Sequence, residues 1–238
     1  MSTRSSFKFK KFDVNDGQCA MKLGTDAVLL GAWANVHQTK SILDIGTGCG
    51  IIALLMCQRS NAMIDAIDIH EPSINQANEN FINSPWPNRL NAILTSVQDF
   101  SVSSENKYDL IVCNPPFFTN DLKSPYELKN ISKHNDRLPF DELILASAKL
   151  LKPGGKFSVI LPVSSSAKFV FQAKQNKLYC RRETIIVPKS DKKPNRTLLE
   201  FEKKQYTLKE SDSIMLRNKD GSYTKEYVEI TCDFYLYP

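Results

Sequence analysis

At 238 residues, with 42% hydrophobic and 24% charged side chains, the chain is long enough for one large α/β domain that buries ~70 to 75% of its unfolded surface without disulfides or structural metal. This composition excludes the disordered and membrane-inserted classes, and the longest apolar run, 51–57, is far too short to span a bilayer. The net charge of +5 is concentrated in residues 1–12, with four basic side chains and no acid, and in 177–204, with nine basic against four acidic; that placement suits a polyanionic partner, though solvated charge runs look the same.

The chain starts MSTRSSFKFKKF, which is basic and lacks the apolar stretch of a secretory signal, so a cytoplasmic protein is expected. Phe7, Phe9 and Phe12, set between lysines, read as anchors for an N-terminal arm or as stacking surfaces for bases. Residues 24–33 (GTDAVLLGAW) read as an amphipathic helix whose free amides are capped by Thr25 or Asp26. From there, apolar runs of strand length alternate with segments of helical period, the pattern of a parallel sheet with helices on both faces. Strands are expected at 41–45, 63–67, 91–94, 108–113 and 156–161, and helices at 51–59, 72–83 and 140–150, the last closed by Gly154-Gly155. A helix over 164–175 follows, then two β-rich runs, 179–187 and 197–204, joined by the polar turn 189–196. Segment 119–136 is long, polar and aperiodic, and such loops in compact domains are functional or disordered. Six scattered cysteines without a Cys-x-x-Cys pair, and His37, His70 and His134 at no ligand spacing, give no reason to expect a metal.

Three of the nine glycines crowd the junction of the first core strand with its helix, in Asp44-Ile45-Gly46-Thr47-Gly48-Cys49-Gly50. A strand-to-helix turn that lets a ligand touch backbone needs residues without side chains, free to take positive φ. The dinucleotide pattern Gly-x-Gly-x-x-Gly requires glycine at 51, where the chain has Ile51. Asp68 ends the second strand 22 residues after Gly46, close to the offset of an acid that accepts hydrogen bonds from a ribose diol. Asp65 falls too early and faces differently on the pleat, so it reads as surface or strand-edge charge. Asp99, just past the third strand, could bind a ligand or cap a turn.

The fourth strand runs into Asn114-Pro115-Pro116-Phe117 at the carboxyl edge of the sheet, where open α/β sheets bind ligands. Two prolines fix φ and remove both amide donors, which leaves a rigid array of acceptors. An aromatic amino nitrogen such as adenine's is a poor nucleophile, because its lone pair is delocalised into the ring. If the Asn114 side-chain oxygen and the Pro115 carbonyl each accept one amino hydrogen, the nitrogen can turn its lone pair towards an electrophile. Phe117 would stack on a base turned out of its strand. The four residues taken alone would also serve as a stiff turn, and an amide nitrogen would satisfy the same acceptors.

Asp44, Gly46, Gly48 and Gly50 fit the acid-x-Gly-x-Gly-x-Gly motif of S-adenosylmethionine-dependent methyltransferases. With Asn114 to Phe117, and with MKLGTD (21–26), LLGAW (29–33), NSPW (83–86) and DFYLY (233–237), the chain resembles the bacterial tRNA (adenine-N6)-methyltransferases that modify the adenine beside the anticodon of a valine tRNA. That resemblance implies a Rossmann-like class I methyltransferase fold. Its sheet would be mixed and seven-stranded, in order 3-2-1-4-5-7-6, with helices on both faces. One domain is expected over 1–238: an arm and donor-covering helix in 1–40, a catalytic core in 41–204, and an extension in 205–238. The resemblance further implies S-adenosylmethionine held by Thr25, Asp44, Gly46, Gly48, Gly50, Asp68, Asp99 and Asn114, with Asn114 and its neighbours holding the target amine. Phe118 stands where the family often has Tyr. Lys8, Lys10 and Lys11 in the arm and Lys189, Lys192, Lys193 and Arg196 in the hairpin turn are the expected RNA contacts, with tRNA as partner and no membrane or obligatory protein partner. A protein-glutamine methyltransferase, a DNA adenine methyltransferase and a non-catalytic RNA-binding protein of the same fold are the competing readings.

Overall fold

The computed structural model describes residues 6–19, 21–116 and 138–236. Phe117, Phe118, the segment 119–136, His134 and Tyr237 lie outside the described residues.

A short hairpin, β1 (Ser6–Lys8) with β2 (Asp13–Asn15), precedes α1 (Thr25–Trp33). The alternating core follows as β3 (Ser41–Ile45), α2 (Ile51–Arg59), β4 (Met63–Asp68), α3 (Glu71–Ile82), β5 (Leu90–Leu94), α4 (Val97–Ser103), β6 (Tyr108–Cys113), α5 (Phe140–Leu150) and β7 (Leu151–Pro162). Then come α6 (Val163–Gln175), the hairpin strands β8 (Tyr179–Lys189) and β9 (Arg196–Glu202), β10 (Glu210–Arg217) and α7 (Lys225–Thr231). The main sheet runs in the order β10-β8-β9-β7-β6-β3-β4-β5. Among the described residues only β9 is antiparallel to its neighbours, so the sheet is mixed, as expected.

Seven strands were expected, and among the described residues the sheet has eight. The extra strand, β10, adds parallel to β8 at the edge, from Glu210 opposite Arg182 to Arg217 opposite Lys189. Residues 205–238 thus extend the sheet with β10 and cover it with α7, whose contacts are to β10 and α1.

Period-2 alternation sorts the strand residues between two cores. Ile42, Ile64, Leu110, Val112 and Ile160 pack under α1, α2 and α3, while Leu43, Ile45, Ile67, Ile111, Cys113 and Val159 pack under α5 and α6. Asp44 shares the face of Ile42, so its carboxylate is carried beneath α2 with no exposure. Among the described residues no helix is long and apolar enough to cross a membrane.

Two local expectations fail. Helix α1 is not amphipathic: every residue from Ala27 to Trp33 is buried, because α2, α7 and the sheet cover it from several sides. Nor does a side chain cap it, since its N-cap is Gly24 and Asp26 is engaged elsewhere. Gly154-Gly155 does not close α5, which ends at Leu150. Both glycines lie within β7, where a Cβ on Gly155 would sit 2.8 Å from the Tyr108 carbonyl of the neighbouring strand.

Two of the three N-terminal aromatics are anchors, whereas Phe7 is exposed. Phe9 and Phe12 are buried, Phe9 stacks on Tyr235 at 5.8 Å between centroids, and Phe12 meets Trp86 edge-on at 5.9 Å.

Candidate active site

A cavity of about 390 Å³ opens at the carboxyl edge of the sheet, within the size range of small-ligand sites. Its floor is Gly46, Thr47, Gly48 and Cys49; one wall is the segment 21–27, and the other is formed by Pro188, Asn195 and Arg196 of the β8–β9 turn. Asn114 also lines it. The cavity therefore gathers Thr25, Gly46, Gly48 and Asn114 from the expected set, while Asp44, Gly50, Asp68 and Asp99 stand outside its lining.

The glycine loop is held from within. Gly46 and Thr47 N–H both donate to the Ile67 carbonyl, at 2.9 and 3.0 Å, Gly50 N–H donates to Thr47 O at 2.9 Å, and Gly48 N–H donates to Asp68 Oδ2 at 2.9 Å. A phosphate cradle needs such amides aimed at the ligand; here these four are spent on the protein. Gly46 and Gly48 have positive φ, and a Cβ built on either meets nothing within 4 Å, so both leave open space on the cavity side. Gly50 differs. At φ +83° it starts α2, and a Cβ there would lie 2.3 Å from the Phe81 ring, so its role is packing against α3. Asn80, missed in the sequence, completes the support: its Nδ2 donates to the Cys49 and Asn15 carbonyls at 2.8 Å, and its Oδ1 accepts from Asn15 N–H.

Asp68 is half-buried at the end of β4, and its two oxygens accept from Gly48 N–H and His70 N–H, both at 2.9 Å. A carboxylate has about four acceptor sites, so capacity remains for a diol. Asp44 Oδ2 accepts from the Thr47 hydroxyl at 2.7 Å, while Oδ1 has no partner among the described residues. Burial pushes its carboxyl up to about 7, against the lowering effect of the Thr47 bond. Asp65 is less free than a surface charge: it accepts from Tyr108 Oη at 2.6 Å and from Asn91 Nδ2 at 2.9 Å.

Asp99 is an exposed residue in the first turn of α4, where Ser96 Oγ caps its amide at 3.0 Å and donates to its carboxylate at 2.6 Å. This is a reciprocal capping pair, so the turn-capping alternative describes what the side chain does here.

Asn114 follows β6 directly. Its Oδ1 is buried and has no hydrogen-bond partner among the described residues, and an orphaned acceptor of this kind costs about 1–3 kcal/mol unless a ligand satisfies it. Pro115 is buried and Pro116 exposed. The neighbouring thiols are poor nucleophiles. Burial raises the Cys113 thiol well above its ordinary value, and contact with Cys19 together with burial raises that of Cys49.

The expected RNA-binding side chains separate into two groups. Lys189 and the exposed Lys192 and Lys193 stand on the β8–β9 turn beside the cavity. Lys10 and Lys11 instead line a second cavity of about 570 Å³ with Asn35, His37, Gln58 and Arg59, at the carboxyl ends of α1 and α2, the end of those helices away from the glycine loop. Lys8 is exposed on β1. Arg196 is not a free turn cation, because its guanidinium holds Asp26 at 2.7 Å.

The family described as Methyltransferase small domain matches residues 20–178. Two curated relatives, from Phocaeicola vulgatus (43% identical) and Parabacteroides distasonis (41%), each match over 97% of both chains, and both are named tRNA1(Val) (adenine(37)-N6)-methyltransferase. In structure, the chain resembles the crystal structure of a predicted O-methyltransferase from Agrobacterium tumefaciens, with a TM-score of 0.68 at 16% identity, covering 88% of this chain and 96% of that one; at that identity the likeness speaks for the fold alone. With a sheet of this topology and relatives this close along its whole length, the chain belongs to the tRNA1(Val) (adenine(37)-N6)-methyltransferase family within the small-domain methyltransferases.

Proposed function

We propose that the protein transfers a methyl group from S-adenosylmethionine to N6 of adenine 37 in tRNA1(Val). The observation that carries this reading is the buried, unpartnered Oδ1 of Asn114 beside the cavity whose floor is the glycine loop.

The donor fits what surrounds that cavity. It carries no phosphate, and the loop offers it close approach at Gly46 and Gly48 rather than free amides. Gly46, Gly48 and Thr25 would hold its amino-acid end, Asp68 its ribose hydroxyls through the lone pairs its backbone donors leave, and Asp44 would steady the loop through Thr47. Asp99 would act through its helix cap rather than on the donor directly. When bound, S-adenosylmethionine supplies an electrophilic methyl group.

Asn114 Oδ1 and the Pro115 carbonyl accept the two amino hydrogens of the base and turn the nitrogen lone pair towards the donor. Pro115 and Pro116 keep N–H donors away from that position. The methylated ammonium product is acidic enough to lose its proton to a weak acceptor, so the site needs no strong base. Phe117 would stack on the extruded base. Lys189, Lys192 and Lys193 would meet the RNA backbone beside the cavity. The arm and α1 in 1–40 cover the donor side, 41–204 carry the chemistry, and 205–238 complete the sheet edge as part of one domain.

The test is labelled donor with tRNA lacking this modification, followed by nucleoside analysis. N6-methyladenosine is expected. Label in a protein side-chain amide would overturn the substrate assignment.

A further inference from the structure

Asn114 and the Pro115 carbonyl select an amino nitrogen without reading the ring that bears it. A second amide-bearing residue, Asn195, is among those that line the same cavity. Asn195 closes the β8–β9 turn, and its backbone is fixed on two sides: its N–H donates to Ile186 O at 3.1 Å, and its carbonyl accepts from Val163 N–H at 3.3 Å. The second bond ties the turn to the first residue of α6, directly after β7, the strand next to β6, which leads into Asn114. The Asn195 side chain is exposed and makes no hydrogen bond among the described residues. An uncommitted donor and acceptor thus belong to a residue of the cavity that Asn114 also lines.

We infer that Asn195 is the base-reading residue: its Nδ2–H donates to a ring nitrogen beside the amino group, N1 or N7 of adenine, while Asn114 and Pro115 hold the amino hydrogens. The inference rests on the reading of the protein as an adenine N6-methyltransferase. Adenine carries its amino group next to unprotonated ring nitrogens, and a carboxamide is the side chain that proteins most often set against that pattern. A protein glutamine offers the amino group but no ring nitrogen, so this contact is what would separate a base from an amide. None of the bonds that hold Asn195 in the turn uses its side chain, so the side chain can be changed without releasing it.

The experiment is single-turnover methyl transfer to tRNA bearing adenine, 1-deazaadenine or 7-deazaadenine at the target position, with wild type, Asn195→Ala and Asn195→Asp. Wild type should be slowed about 10- to 100-fold by one of the two analogues. Both variants should be slowed by a similar factor on adenine and should show no further loss on that analogue, with donor Kd unchanged by calorimetry. The inference fails if the variants match wild type on adenine, if they keep the wild-type sensitivity to the analogues, or if wild type is indifferent to both. A wild type that forms no N6-methyladenosine on the adenine tRNA overturns the parent reading, and the inference with it.

Discussion

Arg196 Nε donates to Asp26 Oδ2 at 2.7 Å, joining the β8–β9 turn to the first turn of α1 beside the cavity. The far end of the same helix is fastened to the same hairpin: Trp33 Nε1 donates to Thr184 Oγ1 at 2.8 Å, and the Arg182 guanidinium lies 3.7 Å from the Trp33 ring centroid. Helix α1 is therefore set by the hairpin at both ends. Because both partners in the Asp26 pair are about a quarter exposed, solvent screening holds its contribution to roughly 0.2–1 kcal/mol. Arg196→Ala should lower stability by about that much in urea unfolding. It should also leave the salt dependence of tRNA binding unchanged, since its charge is committed to Asp26. A slope reduced by about one would mean that Arg196 contacts phosphate after all.

The lysines give the opposite expectation. Lys192→Ala with Lys193→Ala removes two exposed cations beside the cavity and should reduce the salt slope of tRNA binding by about one to two, measured by titration from low to moderate salt. Lys10→Ala with Lys11→Ala should change it less, because those residues sit by the carboxyl ends of α1 and α2 and Lys10 Nζ already donates to Cys232 O at 2.6 Å. Equal effects from the two pairs would refute this placement.

Two glycines of one loop should fail differently. Gly50→Ala forces a side chain into φ +83° and against the Phe81 ring, a combined cost of about 2–4 kcal/mol. Gly48→Ala strains the backbone at φ +55° but meets no protein atom within 4 Å, so it should cost about 1–2 kcal/mol while its methyl enters the donor's space and weakens donor binding 10-fold or more. Urea unfolding paired with calorimetric donor titration separates the two outcomes.

Asp44 makes stability depend on pH. Burial lifts its carboxyl from 3.8 to about 7, so between those values the folded chain keeps a proton that the unfolded chain has released. Stability therefore falls as pH rises from about 4 to about 7 and levels off above, by about 4 kcal/mol at most. Asp44→Asn keeps an acceptor for the Thr47 hydroxyl without the charge. Its stability relative to wild type should rise by about 3 kcal/mol between pH 5 and pH 8; parallel unfolding profiles for the two proteins would contradict this.

The legible parts of the molecule are those where one short segment holds both its signal and its consequence. Strands such as β3 and β6 alternate apolar residues between two cores, and their period is visible without knowing either. Gly46, Gly48, Asp68 and Asn114 stand out for the same reason, each within a local motif. β10 was hidden because an edge strand reading ESDSIMLR buries only Ile214, too little to set a period. The burial of α1 from Ala27 to Trp33 depends on α2, α7 and the sheet, none of which can be read from its own residues. Arg196 read as a turn cation because its partner lies 170 residues away. Asp99 had a usable signal, since Ser96-x-x-Asp99 ahead of an apolar position is the form of a capping box.

Asn114 Oδ1 is buried and without a partner among the described residues, and in the proposed reading it accepts from the amino group of adenine 37. Single-turnover transfer from saturating S-adenosylmethionine to tRNA1(Val), with wild type and Asn114→Ala at matched donor occupancy, tests it most directly. N6-methyladenosine at position 37 is expected with wild type, and with the variant an unchanged donor Kd and a transfer rate lower by about 100- to 1,000-fold or more. An Asn114→Ala variant that transfers within a few-fold of wild type would contradict it.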